Sequence, residues 1–298
     1  MSLEVFESDA TRLVDPDVEP ERIADGFQFT EGPVWSFRHQ HLTFVDLAGD
    51  AMYRWSQDSG TQVLRKPSEH ANGLAYDRAG ALFSCEHRTR RITKETAGGL
   101  ETVVDRYQGK RLNAPNDLVI AEDGTVIFTD PHYGLTEGYG GPGEQELPFR
   151  GVYRLPPGAS EPVLIADDFE GPNGLALTPA EDRLLVVDSE RNHLRAFRIE
   201  SGWRFSGGDV LVELPEEGDV PDGLKLDEAG NIITTGPGGL WLCNPGGAVL
   251  GHLPMPEVTA NLAWGDDDSR TLYLTASTAV YRLRCLTTGH APHRKWGA

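Results

Sequence analysis

Six oxygen-bearing side chains recur at one point of a repeated phrase along this chain of 298 residues. They are Glu31, Asn72, Asn116, Asn173, Asp222 and Asn261. Each opens a stretch that runs through an apolar residue and a turn into a β-rich segment, as in NGLAYDRAGALFSCE from Asn72 and NGLALTPAEDRLLVVD from Asn173. Two carboxylates and four amides, with no Lys, Arg or apolar residue among them, make a set of hard oxygen donors. Such donors suit Ca²⁺, which takes roughly 6–8 oxygens from carboxylates, amides and water. Zinc or copper would draw His or Cys, and neither occurs in this register. Turns also favour Asn and Asp for backbone reasons, but they do not favour Glu, so Glu31 speaks for ligation.

For residues so far apart in the chain to converge, the elements between them must repeat around an axis. Each copy holds two apolar-rich runs about a turn such as DRAG, EDGT or DEAG, which reads as a β-hairpin. Most copies continue into a third short run, for example Val152-Tyr-Arg-Leu, and often a fourth, for example Asp209-Val-Leu-Val-Glu-Leu. Four strands per period of about 40–50 residues specify a propeller blade. Six copies predict an all-β, six-bladed propeller over residues 21–298, with an N-terminal extension at 1–20 and the metal site in the central channel. The last copy lacks a final strand, while Arg22-Ile-Ala stands alone ahead of the first, so the N-terminal strand is expected to close the last blade. Extra Gly-rich material, His132 to Phe149, is expected at the channel mouth as a lid. The Tyr-Arg dipeptides at Tyr53, Tyr153 and Tyr281 read as outer-strand features.

Charge narrows the function. With 46 acidic and 27 basic side chains the net charge is −19, a field that repels phosphate backbones and disfavours anionic membranes. Neither an export signal nor an apolar run long enough to span a bilayer is visible, so a cytoplasmic location is expected. Cys85, Cys243 and Cys285 are odd in number and far apart, as expected for buried free thiols. The sequence contains neither Gly-x-Ser-x-Gly nor Gly-x-x-x-x-Gly-Lys, which argues against a serine hydrolase and a phosphate-cradling loop.

Several motifs, in order, carry a family resemblance: Glu31-Gly-Pro-Val-Trp, Ala71-Asn-Gly-Leu-Ala, Cys85-Glu-His and Gly109-Lys-Arg-Leu-Asn-Ala-Pro-Asn-Asp, then Phe128-Thr-Asp-Pro-His-Tyr-Gly, Gly171-Pro-Asn-Gly-Leu-Ala and Pro221-Asp-Gly-Leu. The chain resembles the family of gluconolactonases, regucalcin and luciferin-regenerating enzyme, and its bacterial gluconolactonases above all. The resemblance implies hydrolysis of a sugar lactone with a divalent cation, Ca²⁺ first, with Zn²⁺, Mn²⁺ and Mg²⁺ as alternatives. It assigns Glu31, Asn173 and Asp222 as metal ligands, places Asn116 beside the metal and substrate, and makes Asp222 the candidate general base. Ala114 and Gly134 fall near the places where animal members carry two further substrate contacts. Arg111, His132, Tyr133 and Asn72 therefore become the candidate substrate-binding residues.

Other readings stay open at this point. His132 is an alternative base, since an unshifted imidazole titrates near neutrality; it serves equally as a loop residue fixing Tyr133. Glu86, His87 and His70 either line the entrance or sit in a solvated turn. Asp130 and Asp188 read as turn or inter-blade bracing residues, and Asp117 as a brace beside Asn116. A phosphotriesterase of the diisopropylfluorophosphatase kind and a non-enzymatic calcium-binding propeller are the competing functions.

Overall fold

Alternating apolar runs broken by Gly, Asp and Asn give short antiparallel strands that the chain folds into six sheets about one axis. The structure, a computed structural model, describes residues 2–297. Blade 1 comprises Thr30–Ser36, His41–Asp46, Ala51–Ser56 and Gly60–Arg65, and blade 2 Ala71–Tyr76, Leu82–Glu86, Arg91–Thr96 and Gly99–Val104. Blade 3 comprises Leu118–Ile120, Val126–Asp130, Arg150–Leu155 and Val163–Phe169, and blade 4 Pro172–Leu177, Arg183–Asp188, His193–Glu200 and Arg204–Glu213. The first four strands of blade 5 are Leu224–Leu226, Ile232–Gly236, Gly239–Cys243 and Val249–Pro254. The first strand of every blade touches the first strands of both neighbours, so the innermost strands close a ring around the channel.

Blade 6 is built from both ends of the chain. Thr259–Gly265, Thr271–Ala276 and Ala279–Arg284 are joined by Glu21–Asp25, which pairs antiparallel with the last of them. The expected closure by the N-terminal strand is therefore seen, and it satisfies two sheet edges that would otherwise stay open. Residues ahead of it pack as well. Glu4–Val5 adds a fifth strand to blade 5, and Leu3, Ala10, Leu13 and Val14 are buried among the side chains of blades 5 and 6.

The core lies between blades. Tyr153 stacks on Phe128 with centroids 5.2 Å apart, and Tyr273 stacks on Trp35 of the neighbouring blade at 4.8 Å. The tyrosines at 53, 153 and 281 stand on third strands, with Tyr153 and Tyr281 fully buried, which corrects their reading as outer-strand features. All three cysteines are free and buried. A short helix, Pro292–Trp296, covers one end of the channel, with the His293 ring donating to the Trp35 carbonyl at 2.9 Å and Trp296 packed on blades 1 and 2. No described helix is long and apolar enough to cross a membrane.

Candidate functional site

The six repeated oxygen donors stand at the entry ends of the six innermost strands, at the end of the channel away from the Pro292–Trp296 helix. Five of them, all but the solvent-touched Asp222, are buried. Glu31, Asn72, Asn116, Asn173 and Asp222 share the wall of one cavity of about 430 Å³. The glycine that follows most of them has a reason other than a turn. A Cβ on Gly73 would strike the backbone of Asn116 and Asp117, and one on Gly174 would strike the Asp222 carbonyl. The bare backbone lets Gly73 N–H reach the Asn116 carbonyl at 2.8 Å and Gly174 N–H reach the Asp222 carbonyl at 2.9 Å, tying blade to blade. Blades 3 and 6 break the pattern, because Asp117 and Leu262 occupy the glycine position.

Hydrogen bonding sets which face each donor presents. Asn173 donates from Nδ2 to Ser189 Oγ at 3.1 Å, and that hydroxyl donates to the Pro221 carbonyl at 2.6 Å. The amide is thereby fixed with its oxygen free: Asn173 Oδ1 is buried and has no hydrogen-bond partner among the described residues. Asp222 Oδ1 is in the same condition. Glu31 Oε2 accepts from Gly32 N–H at 2.6 Å and from Asn261 Nδ2 at 3.2 Å.

Glu31 and Asp222 lie within hydrogen-bonding reach of one another. Burial first, then the neighbouring negative charge of Glu31, pushes the Asp222 carboxyl well above its ordinary range. Burial likewise raises Glu31, to about 7, against the bond from Gly32. Two carboxylates held together in a low-dielectric cavity, with free oxygens beside them, form a site short of positive charge. Nowhere among the described residues do three His, Cys, Asp or Glu side chains gather in ligating geometry, so an ion here would depend on the amides.

The remaining candidates divide. Tyr133 lines the cavity, as do Thr136 and Tyr139 from the Gly-rich segment 132–149. Tyr139 meets Phe29 edge to face at 5.8 Å. His132 does not line it; its ring packs on Tyr133 at 4.9 Å and its Nδ1 is buried without a partner among the described residues. Arg111 is also outside. It belongs to a two-stranded ribbon, Arg106–Tyr107 with Lys110–Arg111, where Nη2 donates to the Thr89 carbonyl at 3.0 Å. The chain turns outward before Asn113, which carries the guanidinium away from the channel and corrects its placement among the substrate contacts.

His87, Glu86 and His70 are buried, which corrects the solvated-turn alternative. Only His87 reaches the cavity. Its Nδ1 donates to the Tyr139 carbonyl at 2.9 Å, leaving Nε2 as acceptor beside Asn72 Nδ2 at 3.5 Å. Burial lowers its pKa to about 4, so the ring is neutral near pH 7. Glu86 instead takes Arg91 at 2.9 Å and Thr93 at 3.0 Å, away from the channel. Ser189 and Glu190 also line the cavity. Sequence reasoning missed them because they follow a second strand, outside the aligned position. Their signal was the Asp188-Ser-Glu turn itself.

Asp130 accepts Asn113 N–H and Ala114 N–H, both at 2.8 Å, and Asp188 accepts Gly171 N–H at 2.8 Å. Both brace the chain entering a first strand and neither reaches the cavity. Asp117 accepts Leu118 N–H at 2.9 Å, and its second oxygen is buried without a partner among the described residues.

Comparison with known proteins agrees with this architecture. Residues 29–278 match the family model described as "SMP-30/Gluconolactonase/LRE-like region". A gluconolactonase from Zymomonas mobilis is 32% identical, over 93% of this chain and 84% of its own length. The solved structure of a gluconolactonase from Xanthomonas campestris is 31% identical with a TM-score of 0.90, covering 96% of this chain and 95% of that one. A calcium-binding regucalcin from Agrobacterium tumefaciens shares the fold at 14% identity, with a TM-score of 0.77 over 92% of this chain and 96% of its own. This chain belongs to the SMP-30/gluconolactonase/LRE-like family.

Proposed function

We propose that this chain is a lactonase that opens a sugar lactone to its aldonic acid in the cavity bounded by Glu31, Asn116, Asn173 and Asp222. The gluconolactonase relatives supply the reaction class. The observation that carries the site is the pair of buried, unpartnered oxygens, Asn173 Oδ1 and Asp222 Oδ1, beside a second carboxylate. Oxygen donors with a deficit of positive charge fit a hard divalent cation, and the regucalcin neighbour is described as calcium-binding. Glu31, Asn173 and Asp222 would hold it, with Asn116 beside them. Once bound, such an ion supplies Lewis-acid polarisation of a carbonyl and charge for a developing oxyanion.

The chain's own residues do the rest. Asp222, its charged form favoured by the cation, is the proton acceptor toward the attacking water, because no donor is bonded to its Oδ1 among the described residues. His132 is disfavoured as base by its position outside the cavity wall. Asn72, held beside neutral His87, and Asn116 offer amides to the sugar hydroxyls. Phe29, Leu47 and Val220 form an apolar side against which a ring face can rest, while Tyr139 and the segment that carries it exclude water. Asn72, Asn116, Ser189 and Glu190 are the polar partners that favour a polyhydroxylated lactone over a hydrophobic organophosphate.

Turnover of a lactone panel and of diisopropylfluorophosphate, before and after chelation, tests this reading. Metal-dependent opening of aldonolactones is expected. Organophosphate turnover exceeding lactone turnover would favour the phosphotriesterase alternative, and no turnover by metal-loaded protein would favour a binding role.

A further inference from the structure

Asn261 occupies the sixth position of the ring, yet its carboxamide is already committed. Leu262 N–H donates to Asn261 Oδ1 at 2.9 Å, which turns the oxygen toward its own strand. The Nδ2 group donates to Glu31 Oε2 at 3.2 Å across the junction between the first and last blades. The same amide stands beside the Asp117 carboxylate and favours its charged form, although Asp117 Oδ2 makes no hydrogen bond of normal geometry among the described residues. Asn261 is 4% exposed, so water does not compete for these contacts.

Its surroundings fix it further. Gly223 of blade 5 packs against the Asn261 side chain so closely that any Cβ there would collide with it. Asp117, standing where four other blades have glycine, brings a third carboxylate under the ring, and the positive charge of Lys225 in blade 5 favours its charged form. Lys225 itself lines the apolar cavity beneath the ring, closed by Pro292, His293 and Trp296. The result is a frame in which one amide sits between two buried carboxylates of different blades.

We propose that Asn261 is a positioning residue rather than a metal ligand: through Nδ2 it fixes the orientation of the Glu31 carboxylate toward the channel centre. The inference rests on the cation reading above. An amide suits the task because it donates to Glu31 without adding charge, whereas an acid at this position would put three anions in contact. Residues that orient ligands in this way commonly change metal affinity by about 10–100-fold when removed.

The test compares the parent protein with Asn261→Leu, which keeps the branched heavy-atom shape and removes the donors. Chelator-treated proteins are titrated with Ca²⁺ and Mn²⁺ by calorimetry, and melting temperatures are read in EDTA and in excess metal. The parent is expected to bind one ion per chain. Asn261→Leu is expected to bind at least about tenfold more weakly, to show a smaller metal-induced rise in melting temperature, and to lose kcat more than KM worsens. Should Asn261→Leu fail to fold, Asn261→Ala carries the same expectation, since water can enter the smaller side chain's space. Metal affinity within twofold of the parent in a folded variant would overturn the inference and leave the cation reading intact. A parent that binds no ion would overturn both.

Discussion

The Asp188 carboxylate accepts the Gly171 backbone N–H at 2.8 Å, two residues ahead of Asn173 in the chain. The same spacing holds at Asp130, which accepts Ala114 N–H at 2.8 Å two residues ahead of Asn116. It holds again at Asp46, which accepts Phe29 N–H at 2.9 Å two residues ahead of Glu31. In three blades, then, an aspartate ending the second strand clamps the chain just before a ring residue enters the first. Replacing Asp188 by Asn leaves one acceptor facing two N–H groups and sets an amide N–H against a donor. Asp188→Asn should cost about 1–3 kcal/mol of stability and lower kcat/KM more than an exposed control such as Glu200→Gln. Denaturant unfolding and steady-state lactone kinetics check this.

Asp222 and Asn72 share the cavity but differ in their commitments. Asp222 keeps a free buried oxygen, whereas Asn72 is paired with His87. Asp222→Ala is expected to reduce kcat by about 10²–10⁴-fold while circular dichroism still reports a folded propeller. Asn72→Ala should lose less, mainly in KM. Equal losses with equal metal content would count against the division of roles.

Much of this architecture was legible in the sequence because a propeller repeats one solution six times. The phrase from Glu31 to Asn261 set blade number, and the orphan strand near Arg22 foretold how blade 6 closes. What stayed illegible was whatever occurs once. The Glu4–Val5 strand is too short to announce itself, and the Pro292–Trp296 helix has less than two turns of pattern. Arg111 neighbours Asn116 in sequence, yet the ribbon that carries it directs its guanidinium to the Thr89 carbonyl, outside the cavity wall. His87 showed the opposite: a turn-like stretch whose burial depends on the segment near Tyr139 folding over it.

That segment yields another expectation. Tyr139 closes one side of the cavity, with its ring on Phe29 and its carbonyl on His87. Removing the ring forfeits an aromatic contact worth about 0.5–1.5 kcal/mol. Tyr139→Ala should therefore raise KM for a sugar lactone by about 2–10-fold with a smaller change in kcat. A fall in kcat at constant KM would instead place Tyr139 in the chemistry.

Acid should loosen the closed end of the channel. Burial lowers the pKa of both His290 and His293 to about 4, below the ordinary value of 6.5. Above pH 6.5 these rings are neutral whether the chain is folded or not. As pH falls from 6.5 toward 4 the unfolded chain takes up protons that the folded chain refuses, so stability declines through that window. A His290→Gln, His293→Gln double variant should lose less melting temperature between pH 7 and pH 4.5 than the parent. Identical losses would mean that these rings titrate alike in both states.

The central claim is that Glu31, Asn173 and Asp222, from three separate blades, hold one divalent ion required for opening a lactone. Its most direct test is metal content measured alongside gluconolactone turnover as chelated protein is titrated with Ca²⁺. The account predicts activity rising in step with one bound ion per chain, and neither binding nor turnover in Glu31→Gln or Asp222→Asn. Full turnover by chelated protein retaining no stoichiometric metal would contradict it.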